Sequence, residues 1–138
     1  MNDVEGGCLC GATRYRITGE PVARSVCHCR SCRRASGAAS VAWIVVRAED
    51  FAIASGPPAS FRSSASVERT FCPRCGTPLT YRHDQSPATI DVATATLDVP
   101  DRYPPTCEIW LEHKIAWSPV DPALPRYRRT RAEGIRED

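Results

Sequence analysis

Apolar and polar positions alternate through Arg14-Tyr15-Arg16-Ile17-Thr18, with Tyr15 and Ile17 on one side and the two arginines on the other. That period of two predicts a half-buried strand, which Gly19-Glu20-Pro21 ends. Residues 22–26 form a second short strand. The most apolar run, residues 38–46, lies between Gly37 and Arg47, and its β-branched content predicts a central strand in which Trp43 belongs to the core. Residues 47–50 turn the chain, and Phe51-Ala52-Ile53 begins another strand that stops at Gly56-Pro57-Pro58. Phe61 and residues 67–71 predict a hairpin around Ser63-Ser64-Ala65-Ser66. Strand-like patterns recur over residues 79–82 and 89–97. Residues 108–117 are expected to form a last hairpin, with Trp110 and Trp117 closing the core. No helical period of useful length appears, and twelve prolines and eight glycines disfavour long helices, so the class is mainly β with little helix.

At 138 residues the chain is read as a single zinc-binding β domain over residues 1–125, followed by a charged tail over residues 126–138. The net charge of +2 is too small to argue for nucleic acid or an acidic membrane, and none is expected as a partner. No apolar run approaches a membrane span, and the N-terminal residues lack the basic and apolar segments of a secretory signal, which together suggest the cytoplasm. In that compartment the eight cysteines read as metal ligands rather than as disulfides.

Their spacing supports this. Cys72-Pro73-Arg74-Cys75-Gly76 is a CPxCG knuckle, in which both sulfurs converge on one cation and Gly76 can take a positive φ. A redox CxxC or a surface turn is the competing reading, but a redox pair normally opens a helix, and here Pro78 and Leu79-Thr80-Tyr81 follow. The candidate partners are Cys8 and Cys10, a CxC flanked by glycines. In an extended segment the two would point to the same side. Four thiolates make a closed, structural zinc site, and 61 residues separate Cys10 from Cys72 (72 − 10 − 1), so the metal would close a long loop.

Cys27-His28-Cys29-Arg30-Ser31-Cys32 is the most chemically loaded segment. Cys27 and Cys29 share a strand face, His28 points away, and Cys32 returns on a turn to complete a three-thiolate cup. Three protein ligands leave one tetrahedral position open, as catalytic zinc sites do. Closure by a fourth ligand, Cys107 or a histidine, is the alternative. Arg30, Arg33 and Arg34 either neutralise the net negative zinc–trithiolate or bind the carboxylates of an anionic thiol.

The order Gly-Cys-x-Cys-Gly, Cys-His-Cys-x-x-Cys-Arg, Ser-Gly, then Phe-Cys-x-x-Cys-Gly-Thr resembles the glutathione-dependent formaldehyde-activating enzyme family, which also contains the centromere protein V group. The resemblance covers Gly7 to about Pro125. It implies a β-tent of short, strongly coiled antiparallel sheets pinned by zinc, with a structural site at Cys8, Cys10, Cys72 and Cys75. It further implies a second zinc at Cys27, Cys29 and Cys32, which the open position of the cup would make the more labile of the two, and the condensation of glutathione with formaldehyde, a carbon–sulfur lyase reaction in reverse. On that reading Cys27, Cys29 and Cys32 are catalytic, Arg30, Arg33 and Arg34 bind substrate, and a small thiol such as glutathione is the partner. Glu108 departs from the pattern, since members often have His there. The alternative function is a non-catalytic zinc module for protein interaction or for redox or metal sensing.

Overall fold

The computed structural model describes residues 3–131. Its strands are β1 (Val4–Gly7), β2 (Arg14–Ile17), β3 (Ala23–Cys27), β4 (Val41–Arg47), β5 (Phe51–Ser55), β6 (Ala59–Ser64), β7 (Val67–Phe71), β8 (Pro78–His83), β9 (Thr89–Ala93) and β10 (Glu108–Ile109). The α-helix among the described residues is α1 (Arg30–Ser36), and short 3-10 turns make up the remaining helical content. With 40% strand and 16% helix the protein is mainly β, as the alternation requires. The described chain forms two compact units, residues 3–23 with 44–103 and residues 24–43 with 104–131, and each carries one of the cysteine clusters.

In the first unit β1, β2 and β5 form an antiparallel sheet, with Gly6 opposite Tyr15 and Tyr15 opposite Ile53. The alternation in β2 is realised as expected: Tyr15 and Ile17 are buried, while Arg16 faces solvent. Tyr15 packs on Phe51 at 5.4 Å between ring centroids, and its hydroxyl meets Thr96 Oγ1 at 2.7 Å. Arg14 clamps both carboxylate oxygens of Asp98, the fork-on-fork geometry that suits guanidinium. A second antiparallel run orders β9, β8, β7 and β6, with the hairpin at Ser64 and Val67 where the serine-rich stretch predicts it. Ile44, Val46, Leu79 and Val92 join Tyr15 and Ile17 in the core, and Cys8 and Cys72 belong to the same cluster. The strand expected over residues 89–97 ends at Ala93, where a 3-10 turn (Thr94–Thr96) takes over.

Gly56 fixes one corner of this unit. It sits at φ +68, and a Cβ there would lie 1.8 Å from the Ala12 carbonyl oxygen. Gly56→Ala is therefore expected to cost about 3 kcal/mol, the sum of a left-handed backbone and an overpacked contact. Gly11 has φ +80 but open space around it, so Gly11→Ala should cost only about 1 kcal/mol. Thermal melts of the two variants check the difference.

In the second unit β3 pairs with β10 in parallel, Val26 opposite Glu108 and Cys27 opposite Ile109. The other side of β10 is taken by the chain near Arg126: Glu108 N–H donates to Pro125 O and Tyr127 N–H to Glu108 O, both at 2.9 Å. With both edges occupied, the hairpin expected over residues 108–117 does not form. Trp110 instead adopts φ +61 and starts a 3-10 turn (Leu111–His113) that carries the chain away. Trp110 stacks on His113 at 5.2 Å, whereas Trp117 is 75% exposed and closes no core. Trp43, at 6% exposure, is buried as expected.

The charged residues 126–131 run beside this turn. Trp110 N–H donates to Arg129 O, and Arg128 and Arg129 both bond Glu112, at 3.2 and 2.7 Å, which holds that carboxyl below its usual range. The rest of the expected tail, residues 132–138, lies outside the described residues. No helix among the described residues is long and apolar enough to cross a membrane.

Candidate metal centres

The first centre is built from two turns. Cys8 and Cys10 occupy the connection between β1 and β2, which closes through Cys8 N–H to Thr13 O and Gly11 N–H to Cys8 O, both at 3.1 Å. This is a turn rather than the extended segment expected from the CxC spacing, and its curvature, not strand alternation, brings the two sulfurs together. Cys72 and Cys75 lie in the β7–β8 connection. There Gly76 N–H donates to Cys72 O at 2.8 Å, and Gly76 takes φ +81 as the knuckle demands. Leu9 N–H donates to Thr77 Oγ1 at 3.1 Å and ties the two turns directly.

The four sulfurs all lie within 4.8 Å of one another. Cys8 and Cys10 are 3.6 Å apart and Cys10 and Cys72 are 3.8 Å apart. Sulfurs placed about 2.3 Å from a central zinc stand about 3.8 Å from each other at the corners of a tetrahedron, so the donor set fits that ion. Backbone donors are aimed at the sulfurs as well: Thr13 N–H at Cys8 (3.2 Å), and Arg74 and Cys75 N–H at Cys72 (3.3 and 3.4 Å). Such donors favour thiolate.

The thiols of the quartet are accordingly split. The Thr77 hydroxyl and backbone bonds bring Cys75 down to about 5, and the Thr13 bond lowers Cys8. Cys10, although its bond to the Ala12 backbone favours thiolate, is pushed up to about 11 by desolvation and by the neighbouring sulfurs.

The second centre is a single bend. Cys27 ends β3, Cys29 caps α1, and Cys32 lies in the first turn of that helix. The sequence reading placed Cys32 on a simple turn; it is instead helical, because the Cys29 sulfur accepts the Cys32 N–H at 3.2 Å and so starts the helix. The three sulfurs lie within 4.8 Å of one another, with Cys27 and Cys32 buried and Cys29 partly exposed. Bonds to Cys29 and Cys32, together with burial, drive the Cys27 thiol far above its ordinary range, so the proton has to be displaced by a cation for all three to be thiolates. Cys107 and His28 fall outside this group. Cys107 is buried near Arg24 O, and its thiol is raised by desolvation.

Arg30, Arg33 and Arg34 all lie on α1 at a spacing that puts them on one face of the helix. Arg30 and Arg34 are exposed. Arg33 is half-buried, and its Nε is buried with no hydrogen-bond partner among the described residues. The sequence reading left two contributors unassigned, the Thr77 hydroxyl on Cys75 (3.2 Å) and the carboxylate of Glu108 on His28 Nε2 (2.5 Å). Two signals for the second were legible, the turning of His28 away from the cup and the departure of Glu108 from the family pattern, but neither joined the two residues.

The family model for glutathione-dependent formaldehyde-activating enzyme matches residues 3–113. A protein of Halomonas elongata with that activity as its provisional name is 26% identical over 127 residues, which cover 86% of this chain and 81% of the relative. An uncharacterised lyase of Schizosaccharomyces pombe is 31% identical over 90 residues, 60% of each chain. A crystal structure of a Rhodobacter sphaeroides protein shares the fold, with a TM-score of 0.58 and 22% identity over 68% of this chain and 87% of that one.

Proposed function

We propose, since this chain belongs to the glutathione-dependent formaldehyde-activating enzyme family, that it is a zinc-dependent carbon–sulfur lyase acting on a thiol–aldehyde adduct. The reaction we favour is the reversible formation of S-hydroxymethylglutathione from glutathione and formaldehyde. The observation that carries this reading is the three-sulfur cup, with two sulfurs buried, one partly exposed and no fourth side chain in the group among the described residues. Zinc held by Cys27, Cys29 and Cys32 would supply an open fourth position at which a thiol is acidified.

The chain's own residues supply binding and orientation. Arg33 has a buried Nε–H without an acceptor, which suits one carboxylate of an anionic thiol, and Arg30 and Arg34 extend the same positive face. With the thiol so held, its sulfur forms the bond to the aldehyde carbon and its proton passes to the aldehyde oxygen. No electrons leave or enter, so no redox partner is needed. The uncatalysed adduct forms readily, and the residues contribute mainly by positioning.

The experiment is elemental analysis beside turnover. Two zincs per chain are expected, and mild chelation should remove one of them together with the activity. Acid should do the same. Thiolates must be deprotonated to bind, and the Cys27 proton competes strongly, so lowering the pH from about 8 to about 5 should empty the cup first. In the quartet Cys75 and Cys8 are lowered while Cys10 is raised, so proton competition there is weaker at two of the four sulfurs and its metal should leave after that of the cup. A chain that keeps both zincs but neither turns over nor binds thiol would instead be a structural zinc module.

A further inference from the structure

His28 stands between two cup sulfurs in the sequence, yet its ring is fully buried and lies outside the sulfur group. Nε2 meets Glu108 Oε1 at 2.5 Å. Glu108 is itself buried, and its other oxygen accepts the Asp121 N–H at 2.6 Å. The carboxyl group, tied on both oxygens, thereby fixes the orientation of the His28 ring. The backbone repeats the connection: His28 N–H donates to Ile109 O and Val26 N–H to Cys107 O, both at 3.0 Å. Glu108 is held in turn by its backbone hydrogen bonds to Pro125 and Tyr127.

Stability alone does not account for such a pair, because replacing both partners of a buried polar pair by packed apolar side chains is often neutral or favourable. What the pair does fix is direction. His28 follows directly on β3 and precedes the extended N-cap of α1, so pinning it by both its ring and its peptide restrains the backbone that carries Cys27 on one side and Cys29 on the other. Outer partners of metal ligands act in this way, orienting the ligands before the ion arrives.

We infer that Glu108, through His28, is a positioning residue for the cup, pre-setting Cys27 and Cys29 for metal. This rests on the reading that the cup binds zinc. The pair touches neither metal nor substrate.

The test is competition for cup metal by a chromophoric chelator, with cobalt substitution to report the sulfur geometry by its visible and charge-transfer bands. Glu108→Gln keeps the size but turns one acceptor into a donor facing His28 or the Asp121 N–H. Cup affinity should fall about 10- to 100-fold, with altered cobalt bands, while the quartet metal is unchanged. Glu112→Gln, which breaks the ion pairs to Arg128 and Arg129, should leave the cup as in wild type. Should Glu108→Gln not fold, the double variant His28→Leu with Glu108→Leu removes the pair without leaving a lone charge and carries the same expectation. Wild-type cup affinity in the folded variants, or equal weakening by Glu112→Gln, would overturn the inference. A wild-type cup that takes up no metal would overturn the zinc reading itself, and this inference with it.

Discussion

Cys72→Ser is expected to remove one zinc per chain and to lower stability by about 5 kcal/mol or more, a large part of the ~5–15 kcal/mol that holds a domain folded. Cys72 is fully buried and lies in the same hydrophobic cluster as Tyr15 and Leu79. Its sulfur accepts two backbone N–H groups and lies 3.8 Å from Cys10 across 61 intervening residues. A metal ion there would close that loop and join the β1–β2 turn to the β7–β8 turn. Serine offers a poor ligand at a site where three other sulfurs crowd together, so the ion is lost and their mutual repulsion is left uncompensated. Metal analysis and a circular-dichroism melt read both effects, and a strong chelator applied to the wild type should reproduce them. A variant that melts like wild type with full metal content would show the quartet to be dispensable.

The sequence made the local features legible, and the cysteine spacing made one distant pairing legible, that of Cys8 and Cys10 with Cys72 and Cys75, but other distant pairings stayed hidden. Tyr15 and Ile17 announce their burial because a period of two in a single strand is a local property. The CxC, CxCxxC and CxxC clusters announce metal because convergence of the sulfurs within each depends on one turn. The pairing of Glu108 with His28 spans 80 positions through a two-residue parallel strand, and nothing near either residue encodes it. The misreading of residues 108–117 has the same root. Their apolar positions suit a hairpin, but β10 already has a neighbour on each edge, and Trp110 turns the chain out with a left-handed backbone. Cys32 was placed on a turn because seven residues give too short a period to reveal a helix, whose start depends on the Cys29 cap.

That cap also makes Cys29→Ser the sharpest probe of the cup. Serine is a better N-cap than cysteine, and its hydroxyl can accept the Cys32 N–H that the sulfur now takes at 3.2 Å. The helix, and with it the positions of Cys32 and Arg33, should therefore persist, the exchange of cap itself costing less than about 1 kcal/mol. On the proposed reading what is lost is a partly exposed ligand, one of the three sulfurs grouped among the described residues, so the expected result is a folded protein that retains the quartet zinc and releases the cup zinc. Enzyme-dependent adduct formation should drop at least about 100-fold, beyond what loss of an outer partner causes. Turnover must be read above the protein-free rate, because glutathione and formaldehyde combine unaided. The two cysteine substitutions thus separate the centres by their effects: Cys72→Ser acts first on the melt, Cys29→Ser first on turnover. Equal turnover by Cys29→Ser and wild type at verified metal content would remove the cup from the chemistry.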